Sequence, residues 1–136
     1  PEGDHRPRTE LPEFLSKLKQ TVTELARVGV QPVLMTLPPI DGARYLDYIC
    51  RGGLSRDSIM RWLGDVGCIY RHQELYSDTV ASFAMREGLP LIDVRRRFLP
   101  QRDLSELISA DGIHLTMPGY RQLFDTLAQW VVPQLA

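Results

Sequence analysis

Val30-Gln31-Pro32-Val33-Leu34-Met35-Thr36-Leu37 is a short apolar run halted by Pro38-Pro39. Its length and branched residues predict a buried parallel strand rather than a helix. Upstream, Leu11, Phe14, Leu15, Leu18, Val22, Leu25 and Ala26 recur at spacings of three and four, with Pro12 in the first turn and Gly29 just past the end. That pattern predicts an amphipathic helix, whose stripe needs a sheet or a second helix to cover it. Helix, glycine and strand together make one α/β unit.

The same order recurs downstream. Ile69, Tyr76, Val80, Phe83 and Ala84 share one helical face, Gly88 ends that helix, and Leu89-Pro90-Leu91-Ile92-Asp93-Val94 reads as the next buried strand. Pro90 falls at the strand's start, where a missing N–H is tolerated. Two helix-to-strand units predict a parallel sheet with helices packed on its faces.

Between the units, residues 40–68 are the least regular stretch. Ala43 to Arg51 suits a short helix, Gly52-Gly53 breaks it, and Ile59, Trp62 and Leu63 suggest another, with arginines at 44, 51, 56, 61 and 71. Two readings stay open. The stretch is either a lid-like insertion at the C-terminal end of the first strand, where open α/β sheets bind ligands, or a solvated connection with a small core around Trp62. Arg95-Arg96-Arg97 reads as a solvated charge run rather than an anion site.

The 136 residues suit a single domain over 1–136. Sixteen basic against 17 acidic residues leave no global field to attract nucleic acid or an anionic membrane. No apolar run is long enough to span a bilayer, and no signal peptide opens the chain, so localisation stays open, with a soluble, cytoplasmic setting slightly favoured. Cys50 and Cys68 read as reduced, structural thiols, with a disulfide between them left open. The start at Pro1, without an initiator Met, reads as a cut from something longer.

Asp111-Gly112-Ile113-His114-Leu115-Thr116 carries the chemistry. A carboxylate three residues before an imidazole can accept the Nδ1 proton, fix the tautomer and turn Nε2 towards a hydroxyl that must lose its proton. The structural alternative is a turn-capping Asp111 and a polar loop His114. Residues 103–109 fit a short helix leading into this loop. Thr116 fits the N-cap of a final helix with the apolar face Tyr120, Leu123, Phe124, Leu127 and Val131.

From Leu11 to Ala136, the order of helix, Pro-Val-Leu-Met-Thr-Leu-Pro-Pro strand, insertion, Tyr76-Ser77-Asp78 to Ala84 helix, Leu-Pro-Leu-Ile-Asp-Val strand and Asp-Gly-Ile-His-Leu-Thr-x-x-Gly-Tyr resembles the C-terminal half of the SGNH hydrolases, the GDSL-type esterases and lipases. The resemblance is weakest over residues 40–68 and most specific from Asp111 to Tyr120. It implies a three-layer α/β/α sandwich around a parallel sheet, flavodoxin-like, present here as a C-terminal portion. It also implies hydrolysis of a small-molecule acyl ester, with Asp111 as the orienting carboxylate, His114 as the general base, and neither a cofactor nor a metal.

The chain departs from the family where the nucleophile belongs. The Gly-Asp-Ser block and the Gly-x-Asn-Asp oxyanion block are missing, Gly3-Asp4-His5 has the wrong residues for the latter, and there is no asparagine at all. Ser55 and Ser58 in Gly-Gly-Leu-Ser-Arg-Asp-Ser follow no strand and lack the strained elbow a nucleophile needs. Ser16, Ser77, Ser82, Ser105 and Ser109 fall in helical segments. The chain therefore offers neither nucleophile nor oxyanion residue, and the isolated polypeptide is expected to be inactive. Two strands, where such a sheet has about five or six, leave an open edge for a missing N-terminal half or for self-association. The alternatives are a non-catalytic α/β binding module, or a metal-dependent hydrolase using Asp111, His114 and Asp93.

Overall fold

The computed structural model describes residues 7–136, so Gly3-Asp4-His5 lies outside the described residues. Helix α1 (Leu11–Arg27) leads into strand β1 (Leu34–Met35), followed by α2 (Gly42–Arg51), α3 (Arg56–Leu63) and the long α4 (Gly67–Glu87). Strand β2 (Leu91–Ile92), the single-turn helices α5 (Arg95–Phe98) and α6 (Leu104–Leu107), and α7 (Met117–Val131) complete the order. A 3-10 turn, Val132–Leu135, ends it.

The strands pair in parallel, with Leu34 opposite Leu91 and Met35 opposite Ile92. This is an α/β arrangement, mostly helical, with a two-stranded sheet among the described residues. Both strands are shorter than their apolar runs. Leu34 N–H donates to Pro90 O and Thr36 N–H to Ile92 O, and the ladder stops there because Leu37 N–H turns to Ser77 Oγ. The expectation of fully buried strands is corrected as well. Leu34, Met35 and Leu91 are only half-buried, because each strand has a single strand neighbour among the described residues.

The core gathers Ile92, Val94 and Phe98, against which Met35, Leu104, Leu107, Leu115, Leu123, Leu127 and Trp130 pack. Helix α4 packs on both strands and buries Val80, Phe83 and Ala84. Helix α1 lies on α4, with the Phe14 and Tyr76 rings 5.1 Å apart and Tyr76 Oη donating to Thr9 O at 2.5 Å. Yet no residue of α1 is buried. Helix α7 commits Leu123 and Leu127 to the core, while Tyr120, Phe124 and Val131 from the same expected face are exposed.

Residues 40–68 form α2 and α3 where the sequence marks two short helices. Asp41 caps α2 and Ser55 caps α3 through side-chain oxygens that accept from Arg44 N–H and Ser58 N–H. An Arg56–Asp47 ion pair ties the two helices together. Cys50 and Cys68 are free thiols.

Arg95 overturns the solvated-run reading for the first of the three arginines. It is 6% exposed. Its guanidinium donates to Leu37 O, Gln73 Oε1 and Glu74 Oε2 and lies 5.4 Å from the centre of the Tyr70 ring. Its own N–H donates to Thr36 Oγ1. The residue leaves β2 beside the end of β1, under α4, so little of its side chain reaches water. No helix among the described residues is long and apolar enough to cross a membrane.

Candidate active site

Ile108 and Leu115 form an isolated antiparallel bridge, and the loop it closes carries Asp111 and His114. Ser109 N–H donates to His114 O at 2.8 Å and Gly112 N–H to Ser109 O at 3.0 Å, so the turn's backbone groups are largely satisfied within it. Gly112 has φ +78°, in the left-handed region. A Cβ there would stand 2.4 Å from both Asp41 O and Tyr45 N. Glycine is thus required twice, by the torsion and by the contact with the first turn of α2. Asp41 N–H completes that contact by donating to Gly112 O at 2.8 Å.

The loop's flanks are pinned. Thr116 caps α7, accepting from Gly119 N–H at 3.2 Å while its hydroxyl donates to Glu106 O at 2.6 Å. Gly119 approaches so near that a Cβ would sit 2.2 Å from Leu107 O. Arg44, from α2, reaches across with Nη1 to donate to Ser105 O at 2.8 Å and Ile108 O at 2.7 Å. One arginine of the 40–68 stretch therefore holds the strut on which the loop is mounted.

Within this frame Asp111 uses both oxygens. Oδ1 accepts from Ser109 Oγ at 2.5 Å, Ile113 N–H at 2.9 Å and His114 N–H at 3.0 Å. Oδ2 faces His114 Nδ1 at 2.5 Å. The bond to the imidazole, then the Ser109 hydroxyl and the Ile113 amide, hold the carboxyl well below the usual carboxylate range, against a smaller opposing effect of burial. The Asp111 side chain is 20% exposed and that of His114 71%. An ionised acid set under the loop thus holds one ring nitrogen and leaves the other on the solvent side, with no hydrogen-bond partner among the described residues.

The hydroxyls expected in helices divide. Ser77 is buried and accepts from Leu37 N–H. Ser109 is not helical: α6 ends at Leu107, and Ser109 sits in the loop with its hydroxyl on Asp111. Ser55 is occupied in capping α3. Asp93 Oδ1 accepts from Thr36 Oγ1 and Arg96 N–H. Among the described residues, no three His, Cys, Asp or Glu side chains come together as a metal set, so Asp93 does not join Asp111 and His114. Sequence reasoning missed Ser109 and Arg44 as supports of this loop. The signal for Ser109 was its place two residues before Asp111, the spacing of a local side-chain turn; nothing marked Arg44 apart from the other arginines.

No family model matches the sequence, and no curated protein does. Among solved structures, the fold is similar to that of a lipase/acylhydrolase from Enterococcus faecalis, with a TM-score of 0.65 at 18% identity. The match covers 98% of this chain and 56% of that one, so the chain spans little more than half the length of that enzyme. At this identity the likeness speaks for the fold.

Proposed function

We propose that this chain is the C-terminal part of a serine acyl-ester hydrolase of the SGNH type, supplying its orienting acid, Asp111, and its general base, His114. The observation that carries the reading is the 2.5 Å contact between Asp111 Oδ2 and His114 Nδ1. It is set on a loop with an exposed Nε2 face, in a fold like that of a lipase/acylhydrolase. In the full three-layer sandwich, further strands would add to the free edge of β1, and the α2–α3 stretch would stand as a lid-like wall beside the loop.

The chemistry follows from the pair. A serine hydroxyl brought by polypeptide outside this chain attacks an ester carbonyl as its proton passes to His114 Nε2. Asp111 stabilises the imidazolium. The proton then goes to the leaving alcohol, and water repeats the cycle on the acyl-enzyme. Oxyanion donors also come from outside, since no asparagine is present.

A fluorophosphonate probe tests the reading. A protein joining this chain to a segment with a Gly-Asp-Ser block should label covalently and lose labelling on His114→Ala, while the 136-residue polypeptide alone should neither label nor turn over p-nitrophenyl acetate. Turnover by the polypeptide alone that disappears with His114→Ala would place a nucleophile within it and remove the divided-site reading.

A further inference from the structure

Helices α2, α3 and the first half of α4, with Pro7 and Arg8, line a half-open cavity of about 800 Å³. Its size lies in the roughly 300–1,000 Å³ range of small-molecule sites. Its walls are chiefly aliphatic, with Ile49, Leu54, Ile59, Ile69 and Leu75 around the indole of Trp62. Among the described residues the charged lining groups are Arg8 and Arg71, with His72, Tyr45 and Cys68 the other titratable ones, and no described Asp or Glu lines the space. Arg71 is partly balanced from outside the lining by Asp65 at 2.9 Å.

The cavity and the acid–base loop both adjoin one residue of α2. Tyr45 lines the cavity, and its backbone N is where a Cβ on Gly112 would collide. Ile69 of α4, also a lining residue, lies 3.3 Å from the Cβ position of Gly42 in the same first turn of α2. The N-terminal turn of α2 is therefore packed between the loop on one side and the hydrocarbon-lined space on the other.

From this juxtaposition we propose that the cavity between α2, α3 and α4 receives the hydrocarbon chain of a medium- or long-chain acyl ester and of the fatty acid released from it. Aliphatic walls accept methylenes and provide few groups that could orient a polar ligand. Basic rather than acidic lining residues suit the carboxylate of the product. Naming the chain as the acyl part rests on the acid–base reading of Asp111 and His114; uptake of a fatty chain does not.

Calorimetric titration of the 136-residue protein with hexanoic, octanoic, decanoic and dodecanoic acids, each below its micellar concentration, tests the proposal. The expected result is saturable binding that tightens by about fourfold per added methylene until the cavity is filled. Leu54→Glu and Leu75→Glu alter exposed wall residues, so the fold should persist, as a circular dichroism spectrum would show, while dodecanoate binding weakens by roughly tenfold or more. An affinity flat along the series, or unchanged by both substitutions, overturns the proposal. So does binding seen only after residues 1–6 are removed, which would mean that the chain's own N-terminus fills the space. Binding as expected in a protein whose reconstituted form never labels with fluorophosphonate would keep the cavity and discard the hydrolase. Labelling without chain-length dependence would do the reverse.

Discussion

His114 Nδ1 lies 2.5 Å from Asp111 Oδ2, and the carboxylate that holds it is itself held through its other oxygen by Ser109, Ile113 and His114 amide or hydroxyl donors. The acid is thereby kept ionised and fixed, and the neutral ring is expected to carry its proton on Nδ1. Asp111→Asn preserves the shape but removes the charge and presents a donor or an amide oxygen instead. Nitrogen NMR of the imidazole should show Nδ1 protonated and Nε2 bare in the parent chain, with the tautomer preference lost or reversed in the variant. In a reconstituted hydrolase the same substitution should lower kcat by up to roughly 10⁴-fold. An unchanged tautomer would remove Asp111 from its orienting role.

Ser109 is the second-largest cause of the low Asp111 carboxyl pKa, after His114. Because the folded value lies below the unfolded one of about 3.9, the loop's contribution to stability is present above that pH. It is lost as pH falls through the folded value. Ser109→Ala should move the Asp111 carbon-13 titration upward and cost about 1.5 kcal/mol in urea unfolding at neutral pH. The difference from the parent should shrink on acidification, once the carboxyl is protonated in both. A constant difference across the acid range would mean that the serine acts through packing and not through the carboxylate.

Gly112 makes the tightest geometric demand in the loop. Gly112→Ala adds a Cβ 2.4 Å from the backbone of Asp41, the α2 cap, and of Tyr45 at φ +78°, and neither atom belongs to a flexible side chain that could move aside. A loss of roughly 1–3 kcal/mol is expected, together with faster exchange of the Asp41 amide, whose hydrogen bond to Gly112 O would be broken. Gly52→Ala provides the contrast, since its Cβ would come no nearer than 3.3 Å to Ile49 O and its φ is −75°. It should be close to neutral. Equal effects at the two glycines would contradict the close-approach argument.

The sequence made the periodic and local features legible. Helix α1 and helix α4 follow their apolar spacings, and Thr116 was readable as the α7 cap because N-capping is decided within four residues. The contact of Asp111 with His114 is likewise local, spanning three positions. What was not legible depends on distant packing. The strand runs looked long enough for full burial, yet their paired length depends on neighbours that the sequence pattern does not name. Tyr120 and Phe124 share a helical face with Leu123 and Leu127, but only the latter two meet the core. Arg44 and Arg95 look like any surface arginine until α6 and α4 are brought over them.

Arg95 provides the sharpest test of that long-range packing. Its guanidinium joins the end of β1 at Leu37 to Gln73 and Glu74 of α4, and its own amide is bonded to Thr36. The Nε atom is buried without a hydrogen-bond partner, so the site already carries a desolvation cost. Glu74 is 43% exposed on its side chain, so solvent weakens the ion pair, and the half-buried acceptors Leu37 O and Gln73 Oε1 carry more of the interaction. Arg95→Ala would leave those acceptors unpaired and open a void, with an expected loss of about 2–3 kcal/mol in denaturant unfolding. Glu74→Gln keeps an acceptor near Nη2 and should cost less than about 1 kcal/mol. Arg97→Ala, which removes an exposed bond to Gln129, should cost less than about 0.5 kcal/mol. If Arg95→Ala and Arg97→Ala proved equally mild, the first arginine would be as solvated as its neighbour, and the tie between β1 and α4 would have to rest on Ser77 and Gln73 alone.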